Sequence, residues 1–341
     1  MIPNTRLLLA GNLGGTNVGD SFFHAAKLMG VPVQIVETRR AFTGPSLWRA
    51  LHWRLLGHRP PALRTYNRIL REVIADFHPT VLLTTGLAPV VEGTIAYAKK
   101  AGATVINYLT DDPWNPNHRS RWFFEALPAY DAVFSPRRAT LHALRAARCP
   151  RVEYLPFAFD PRFAHPVEVP TNEDRPDLMF AGGADRDRVP ILGRLISLGF
   201  RVALYGDLWE RYRETRSAAR GHADSLALCR ATLAAKVALC LVRRANRDGH
   251  VMRSYEAAAT GACMLVEDTA EHREMFGEDL ETVAYFRDTD HLIARLQDLL
   301  SDSSQRSRLA KAVHHRIVSG ANTYCDRLAT MLHGTGQFVC V

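Results

Sequence analysis

Short runs of branched and aromatic apolar residues recur along the chain. The longer stretches between them bring an apolar residue back every three or four positions, and this alternation predicts an α/β architecture with parallel sheets. In the first half the runs predict strands at Arg6–Ala10, Val33–Glu37, Thr80–Thr84, Ala103–Tyr108 and Ala132–Ser135, with a short one at Val152–Leu155. The pattern then breaks: PFAFDPRFAHPVEVPTNEDRP holds five prolines between Pro156 and Pro176 and reads as a linker. A second series follows at Leu178–Ala181, Arg201–Tyr205, Val237–Leu241, Cys263–Glu267 and Val283–Tyr285. Helical patterns lie between these strands, at Arg188–Leu198, Leu226–Ala234, Arg253–Ala259 and His291–Leu300, and the tail from Ser304 to Leu332 is mostly helical. The expected division is a first domain over 1–160, a linker over 161–176, a second domain over 177–318 and a C-terminal helix over 319–341. Whether that helix crosses back to the first domain is left open. Two doubly wound halves joined by a hinge are expected to bind ligand in a cleft, at the carboxyl ends of both sheets.

Composition narrows this picture. The 341 residues suffice for two domains with a core each, and 47% hydrophobic with 23% charged residues excludes a disordered or fibrous chain. No apolar run reaches the roughly 18 residues of a membrane span. Met1–Arg6 leads straight into a strand, so no secretory signal is expected. Cys149, Cys229, Cys240, Cys263, Cys325 and Cys340 form no C-x-x-C pair, which predicts free thiols in a reducing cytosol.

The net charge of +8 is unevenly spread. Residues 1–160 carry 19 lysines and arginines against 11 aspartates and glutamates, whereas the remainder carries 24 of each. Between Arg39 and Arg71 lie eight arginines and no acidic residue, with Leu47, Trp48, Leu51, Trp53 and Leu55 among them. Such a segment fits an anionic membrane surface; the alternative is a core-packing helix pair with a basic outer face. Nucleic acid is not expected, because no binding module accompanies the charge.

GNLGGTNVGD, residues 11–20, follows the first apolar run and leads into a helix-like stretch, the layout that presents backbone N–H groups to a phosphate. It has no lysine, which excludes a Walker A loop, and its glycines at 11, 14, 15 and 19 never give G-x-G-x-x-G, so NAD is not its natural ligand. What remains is a flexible turn at the carboxyl end of the first strand.

The second half is more specific. In RDGHVMRSYEAAATGACMLVEDTAEHREMF, Asp248 and Glu256 bracket a loop and the opening of a helix, Gly249 permits close approach of an anion, and Gly261 ends the helix. The run R-x-Y-E-A-x-A-x-G-A-x-x-L-V-E, with EHREMFGED and VAYFRDTDHLIARLQDLL after it, resembles the C-terminal domain of GT-B glycosyltransferases, above all the CgeB-type (spore maturation protein-like) family. DLMFAGG with Arg186 and Arg188, ALYGDLW, YLTDDPW and VEYLPFAFDP extend the resemblance over nearly the whole chain.

The resemblance implies a GT-B fold of two Rossmann-like domains and a hexosyltransferase (EC 2.4) using a UDP-, TDP- or GDP-sugar donor, with no metal and no tightly bound cofactor. It implies that Glu256 accepts hydrogen bonds from the donor ribose, and that Arg253, Arg186 and the backbone near Gly249 and His250 hold the diphosphate. Gly182, Gly206 and Tyr255 fall in the same donor-side motifs. Asp248 stands where related retaining enzymes carry the first glutamate of an E-x7-E pair, a departure that leaves retention or inversion open. Gly14, Gly15 and Asn17 then become backbone contacts for diphosphate or acceptor. Asp20 and His24 become candidates to take the acceptor's proton. Asp111 and Asp112 precede Pro113 and fit a strand-end turn or an acceptor contact equally well, whereas a DxD metal motif needs a separating residue. His314 and His315 read as solvated helix residues. A nucleotide-sugar epimerase or hydrolase of the same fold, and a silent binding subunit of a glycosylation complex, are the alternatives. The expected location is cytoplasmic, with the membrane's inner face as a peripheral site, and no role is assigned to the Phe338–Val341 tail.

Overall fold

A computed structural model describes residues 5–333; Met1–Asn4, Cys340 and the Phe338–Val341 tail lie outside the described residues. The chain divides into two compact units. The first runs to Pro156 and takes in Ala245–Arg247 and the C-terminal helix; the second comprises Phe157–Arg244 and Asp248–Thr323.

In the first unit β1 (Leu7–Gly11) is followed by α1 (Val18–Leu28), β2 (Val33–Glu37), α2 (Ser46–Leu55), α3 (Leu63–Phe77) and β3 (Val81–Thr85). Then come α4 (Glu92–Lys100), β4 (Thr104–Tyr108), α5 (Arg121–Ala126), β5 (Ala132–Ser135), α6 (Arg138–Ala146) and β6 (Val152–Tyr154). The strands form one parallel sheet in the order β2-β1-β3-β4-β5-β6. Leu7, Leu8, Leu9 and Ala10 are all fully buried, which is why β1 reads as an unbroken apolar run: a parallel sheet covered on both faces has no polar side to alternate with. One core gathers Leu8, Leu82 and Val105 with Tyr66, Leu70 and Ile74 of α3.

The second unit repeats the plan. Its elements are β7 (Leu178–Ala181), α7 (Arg188–Ser197), β8 (Val202–Tyr205), β9 (Ala219–Gly221), α8 (Ser225–Ala234), β10 (Val237–Cys240) and α9 (Met252–Thr260). They continue with β11 (Met264–Glu267), α10 (Ala270–Phe276), β12 (Ala284–Phe286), α11 (Thr289–Ser301) and α12 (Ser303–Val318). The parallel sheet runs β12-β11-β10-β7-β8-β9. The last helix, α13 (Tyr324–His333), packs against α1 in the first unit, where the Phe22 ring meets Tyr108 and Tyr324 edge-on and Arg327 Nε donates to the Pro156 carbonyl at 2.9 Å.

Three features differ from the sequence reading. β9 joins the sheet as an edge strand although Arg220 and Gly221 are exposed, so no apolar run announces it. The arginine-rich stretch does form two helices, but only α3 packs into the core; α2 buries none of its residues, so the expected core-packing pair is half correct. His314 is not simply solvated: it is half-buried, and its Nδ1 donates to the Ala259 carbonyl at 2.9 Å, tying α12 to α9.

Candidate functional site

In an open parallel sheet, two neighbouring strands whose following helices lie on opposite faces leave a crevice at their carboxyl ends. The strand order puts that switch point between β7 and β10 in the second unit and between β1 and β3 in the first.

At the β7–β10 position the chain brings glycine backbone and arginine together. Gly206 has φ +124, and a Cβ there would stand 2.5 Å from the Gly182 carbonyl oxygen, so the two glycines let the ends of β7 and β8 touch. Trp209, fully buried, donates its Nε1–H to that same carbonyl at 2.7 Å. Asp185 accepts from the Arg188 N–H at 2.9 Å and starts α7, whose first residue Arg188 turns inward. The buried Arg188 guanidinium donates to the Gly183 and Leu241 carbonyls, each at 3.3 Å, and lies over the Phe180 ring. Burial pulls its pKa down; Asp185 opposes this, Arg243 adds to it and Asp248 opposes it again, so two guanidiniums and two carboxylates share this strand end. Arg186, by contrast, is exposed.

The loop from β10 to α9 supplies the next groups. Gly249 backs onto the start of α10: its carbonyl accepts from the Thr269 hydroxyl, and a Cβ on it would collide with the Glu271 carboxylate. His250 is fully buried and accepts the Phe157 N–H on Nε2 at 3.2 Å, its ring edge-on to Phe157 and Tyr255. Along α9, Arg253 and Glu256 stand one turn apart and are ion-paired. Glu256 is 7% exposed, and burial raises its pKa; Arg253 opposes the rise and the carboxylate of Asp160 adds to it. Asp160 is itself buried and is gripped by Arg162 through Nε (3.0 Å) and Nη2 (2.6 Å). The second unit thus brings the Asp160 carboxylate close to the Arg253–Glu256 pair of α9. Asp160, Arg188 and Arg243 went unmarked as site residues in the sequence; DPR and RDR are common surface patterns, and only the return of Asp160 toward α9 and the inward turn of α7 distinguish them.

In the first unit the glycine-rich loop joins β1 to α1. Gly14 and Gly15 have φ of +82 and +59, conformations a side chain resists. Asn17 precedes α1 and donates from Nδ2 to the Gly14 carbonyl at 2.6 Å. Asp20 is buried and accepts the Gly14 N–H at 3.0 Å, so its carboxylate shapes the loop. His24 Nδ1 donates to the Asp20 carbonyl at 3.0 Å and lies 3.4 Å from its carboxylate. Asp111 lies in the loop that follows β4, its Oδ2 accepting from the Thr110 hydroxyl at 3.1 Å, across from Gly86 with φ +60. Its neighbour Asp112 is 1% exposed and forms a two-point ion pair with Arg247. The two adjacent aspartates therefore face different partners. Among the described residues no group of three or more His, Cys, Asp or Glu could hold a metal ion.

The fold so described is GT-B, with two Rossmann-like α/β domains. Residues 188–333 match a family described as glycosyl transferase-like. Among solved structures, sucrose-phosphate synthase from Thermosynechococcus elongatus is 12% identical, with 98% of this chain and 99% of that one covered and a TM-score of 0.67. The Anabaena protein Alr3699/HepE, solved with UDP and glucose, is 11% identical, with 98% and 100% covered and a TM-score of 0.65. A glycosyltransferase from Rickettsia africae is 11% identical, with 97% of each chain covered and a TM-score of 0.66. No curated protein matches the chain.

Proposed function

We propose that the protein is a glycosyltransferase that moves a sugar from a nucleoside-diphosphate donor to an acceptor hydroxyl, with the donor held by the second unit. The observation that carries this reading is the buried Glu256 on α9, one turn from Arg253 and inside the segment that matches the glycosyl transferase-like family. A carboxylate on a rigid helix suits the paired hydroxyls of a ribose. Arg253, Arg188 and Arg243, with the backbone of Gly249 and His250, supply the positive charge and N–H groups that a diphosphate requires, whereas the Gly182 N–H is donated to the Tyr205 carbonyl at 2.8 Å. That a protein of the same fold was solved with UDP and glucose supports the donor class.

In the reaction the acceptor oxygen forms the bond to the anomeric carbon while the bond to the diphosphate breaks, and the diphosphate leaves with the electron pair. The arginines stabilise the charge that develops on it. The acceptor's proton goes to a base, for which His24, Asp20 and Asp111 of the first unit are the proposed groups. Asp20 is committed to the Gly14 N–H, which favours His24 or Asp111. On this reading Asp248 acts through charge beside Arg188 and Gly15 offers a backbone contact, while Gly14 and Asn17 shape the loop, their N–H groups being donated to Asp20 and to the Gly14 carbonyl. The reaction is expected to proceed in EDTA. The cytoplasm, where nucleotide sugars are made, is the proposed place of action.

The test is a thermal-shift screen against UDP, GDP, TDP, CMP and ADP and their sugar conjugates, with Glu256→Gln alongside. A ligand that binds only the folded state raises stability by RT ln(1 + [L]/Kd). One nucleotide family should raise Tm, and Glu256→Gln should weaken that family roughly tenfold, the worth of hydrogen bonds to a charged acceptor. No shift with any nucleotide, or an undiminished shift in the variant, refutes the donor site. Release of free nucleotide and an altered sugar without acceptor would mark an epimerase or hydrolase instead.

A further inference from the structure

Helix α2 leaves a row of large apolar side chains in water. Leu47, Leu51 and Leu55 recur every four residues and share a face, with Trp48 beside them. They are 83%, 42%, 72% and 57% exposed in that order. The opposite face carries Ser46, Arg49, Ala50 and Trp53, with Arg54 at its edge, and lines a hollow of about 420 Å³ completed by Phe42, Arg59 and Pro61. A surface helix ordinarily turns its apolar stripe to the core; this one leaves its leucines in water, and Arg49 and Arg54 are exposed as well.

The pose is anchored from the end of the helix. The Trp53 ring lies 4.2 Å from that of His58, whose Nδ1 donates to the Arg119 carbonyl at 2.8 Å and whose own carbonyl accepts from Trp122 Nε1 at 3.4 Å. A fixed outward row of leucines costs hydration free energy unless something apolar covers it.

Charge selects what that is. The stretch from Arg39 to Arg71 has no acidic residue, and only at its edges do Glu37 and Glu72 pair with Arg39 and Arg68. A second copy of the chain would cover the leucines but bring a matching set of arginines against these, a juxtaposition of like charge. Nucleic acid would satisfy the arginines and leave the leucines in water. An anionic bilayer satisfies both. A helix lying in the interface is about 10 Å thick, so one face reaches the acyl boundary while the other stays at headgroup level.

We propose that α2 is an interfacial helix that docks the first unit on an anionic membrane. Leu47, Trp48, Leu51 and Leu55 enter the boundary between headgroups and acyl chains, and the hollow of Arg49, Arg54 and Arg59 takes the phosphate of an anionic lipid headgroup. The inference is independent of the reaction proposed above and is tested without nucleotide.

The full chain is sedimented at low salt with vesicles of phosphatidylcholine alone or mixed with phosphatidylglycerol. The expected result is binding to the mixed vesicles only, with a blue shift of tryptophan emission. Leu47→Gln/Leu51→Gln/Leu55→Gln should weaken it by roughly tenfold or more, since apolar burial sets the strength of interfacial helices. Arg49→Gln/Arg54→Gln/Arg59→Gln should remove the preference for phosphatidylglycerol. Because α2 buries no residue and Arg59 beyond it is only half-buried, both variants should keep a Tm close to the wild type's. A second readout needs no disruptive change: brominated lipid should quench the wild type and spare most of that signal in Trp48→Phe. A wild type that stays in solution, or a leucine variant that sediments like it, overturns the proposal. So does a wild type that dimerises through the leucines, or one that prefers duplex DNA to the mixed vesicles.

Discussion

Ser254 Oγ and His272 Nε2 stand 2.8 Å apart in the interior of the second unit, joining the start of α9 to α10. The His272 Nδ1 donates to the Glu267 carbonyl at 2.8 Å, and a carbonyl only accepts, so Nε2 is the acceptor and the Ser254 hydroxyl the donor. Ser254 Oγ in turn accepts the Val251 N–H at 3.2 Å, the last residue before α9. The helix that carries Arg253 and Glu256 is thus positioned by a buried relay that touches neither of them.

That relay predicts a pH dependence of stability. Burial pushes the His272 pKa down to about 4, below its ordinary value, so the unfolded chain binds this proton more readily than the native one. Its contribution is complete above the unfolded pKa, near 6.5, and is lost as pH falls from there toward 4, by an amount on the order of 3 kcal/mol. Urea unfolding between pH 7 and 4 should show this slope, and His272→Gln should flatten it. An unchanged slope in the variant would place the titrating group elsewhere.

Two glycines should respond very differently to alanine. At Gly206 the new Cβ meets the Gly182 backbone in addition to the strain of φ +124, whereas at Gly14 it meets nothing within 4 Å and only φ +82 opposes it. Gly14→Ala is expected to cost about 1 kcal/mol. Gly206→Ala adds overpacking against backbone and should cost about 3 kcal/mol or more. Chemical denaturation of the two variants ranks them, and equal losses would contradict the close approach of β7 and β8.

Arg247→Ala should expose the asymmetry of a half-buried ion pair. Arg247 is partly solvated while Asp112 is sequestered, with the Trp114 N–H as a further donor to it at 3.0 Å. Removing the guanidinium strands the carboxylate, and a loss of about 2 kcal/mol is expected after allowing for solvent around the arginine. Adding Asp112→Asn should recover part of it. A double variant no better than Arg247→Ala alone would mean that the pair is not coupled.

The strands were legible because burial on both faces leaves no choice of composition: LLLA, VLLTT and LMFA could belong to little else than the middle of a parallel sheet. The edge strand β9 was not, since the sheet covers only one side of it and exposed Arg220 carries no pattern. Glu256, Arg253 and Gly249 are singled out through the family resemblance, and that Arg253 and Glu256 meet follows from their three-residue spacing on one helix.

Elsewhere the chain poses alternatives that local chemistry does not separate. Arg186 and Arg188 are two residues apart, yet one is exposed and the other buried against Phe180, because Arg188 opens α7 and turns inward while Arg186 lies in the loop before the helix. Asp111 and Asp112 are adjacent, yet one faces a strand end and the other an arginine more than a hundred residues on. The helices α2 and α3 share the same arginine-rich, amphipathic composition, and only α3 finds a sheet to cover. By itself the sequence determined which segments must be buried, since that follows from apolar content and period. Which of two similar neighbours faces inward was decided by the tertiary structure, because that depends on contacts between residues far apart in the chain.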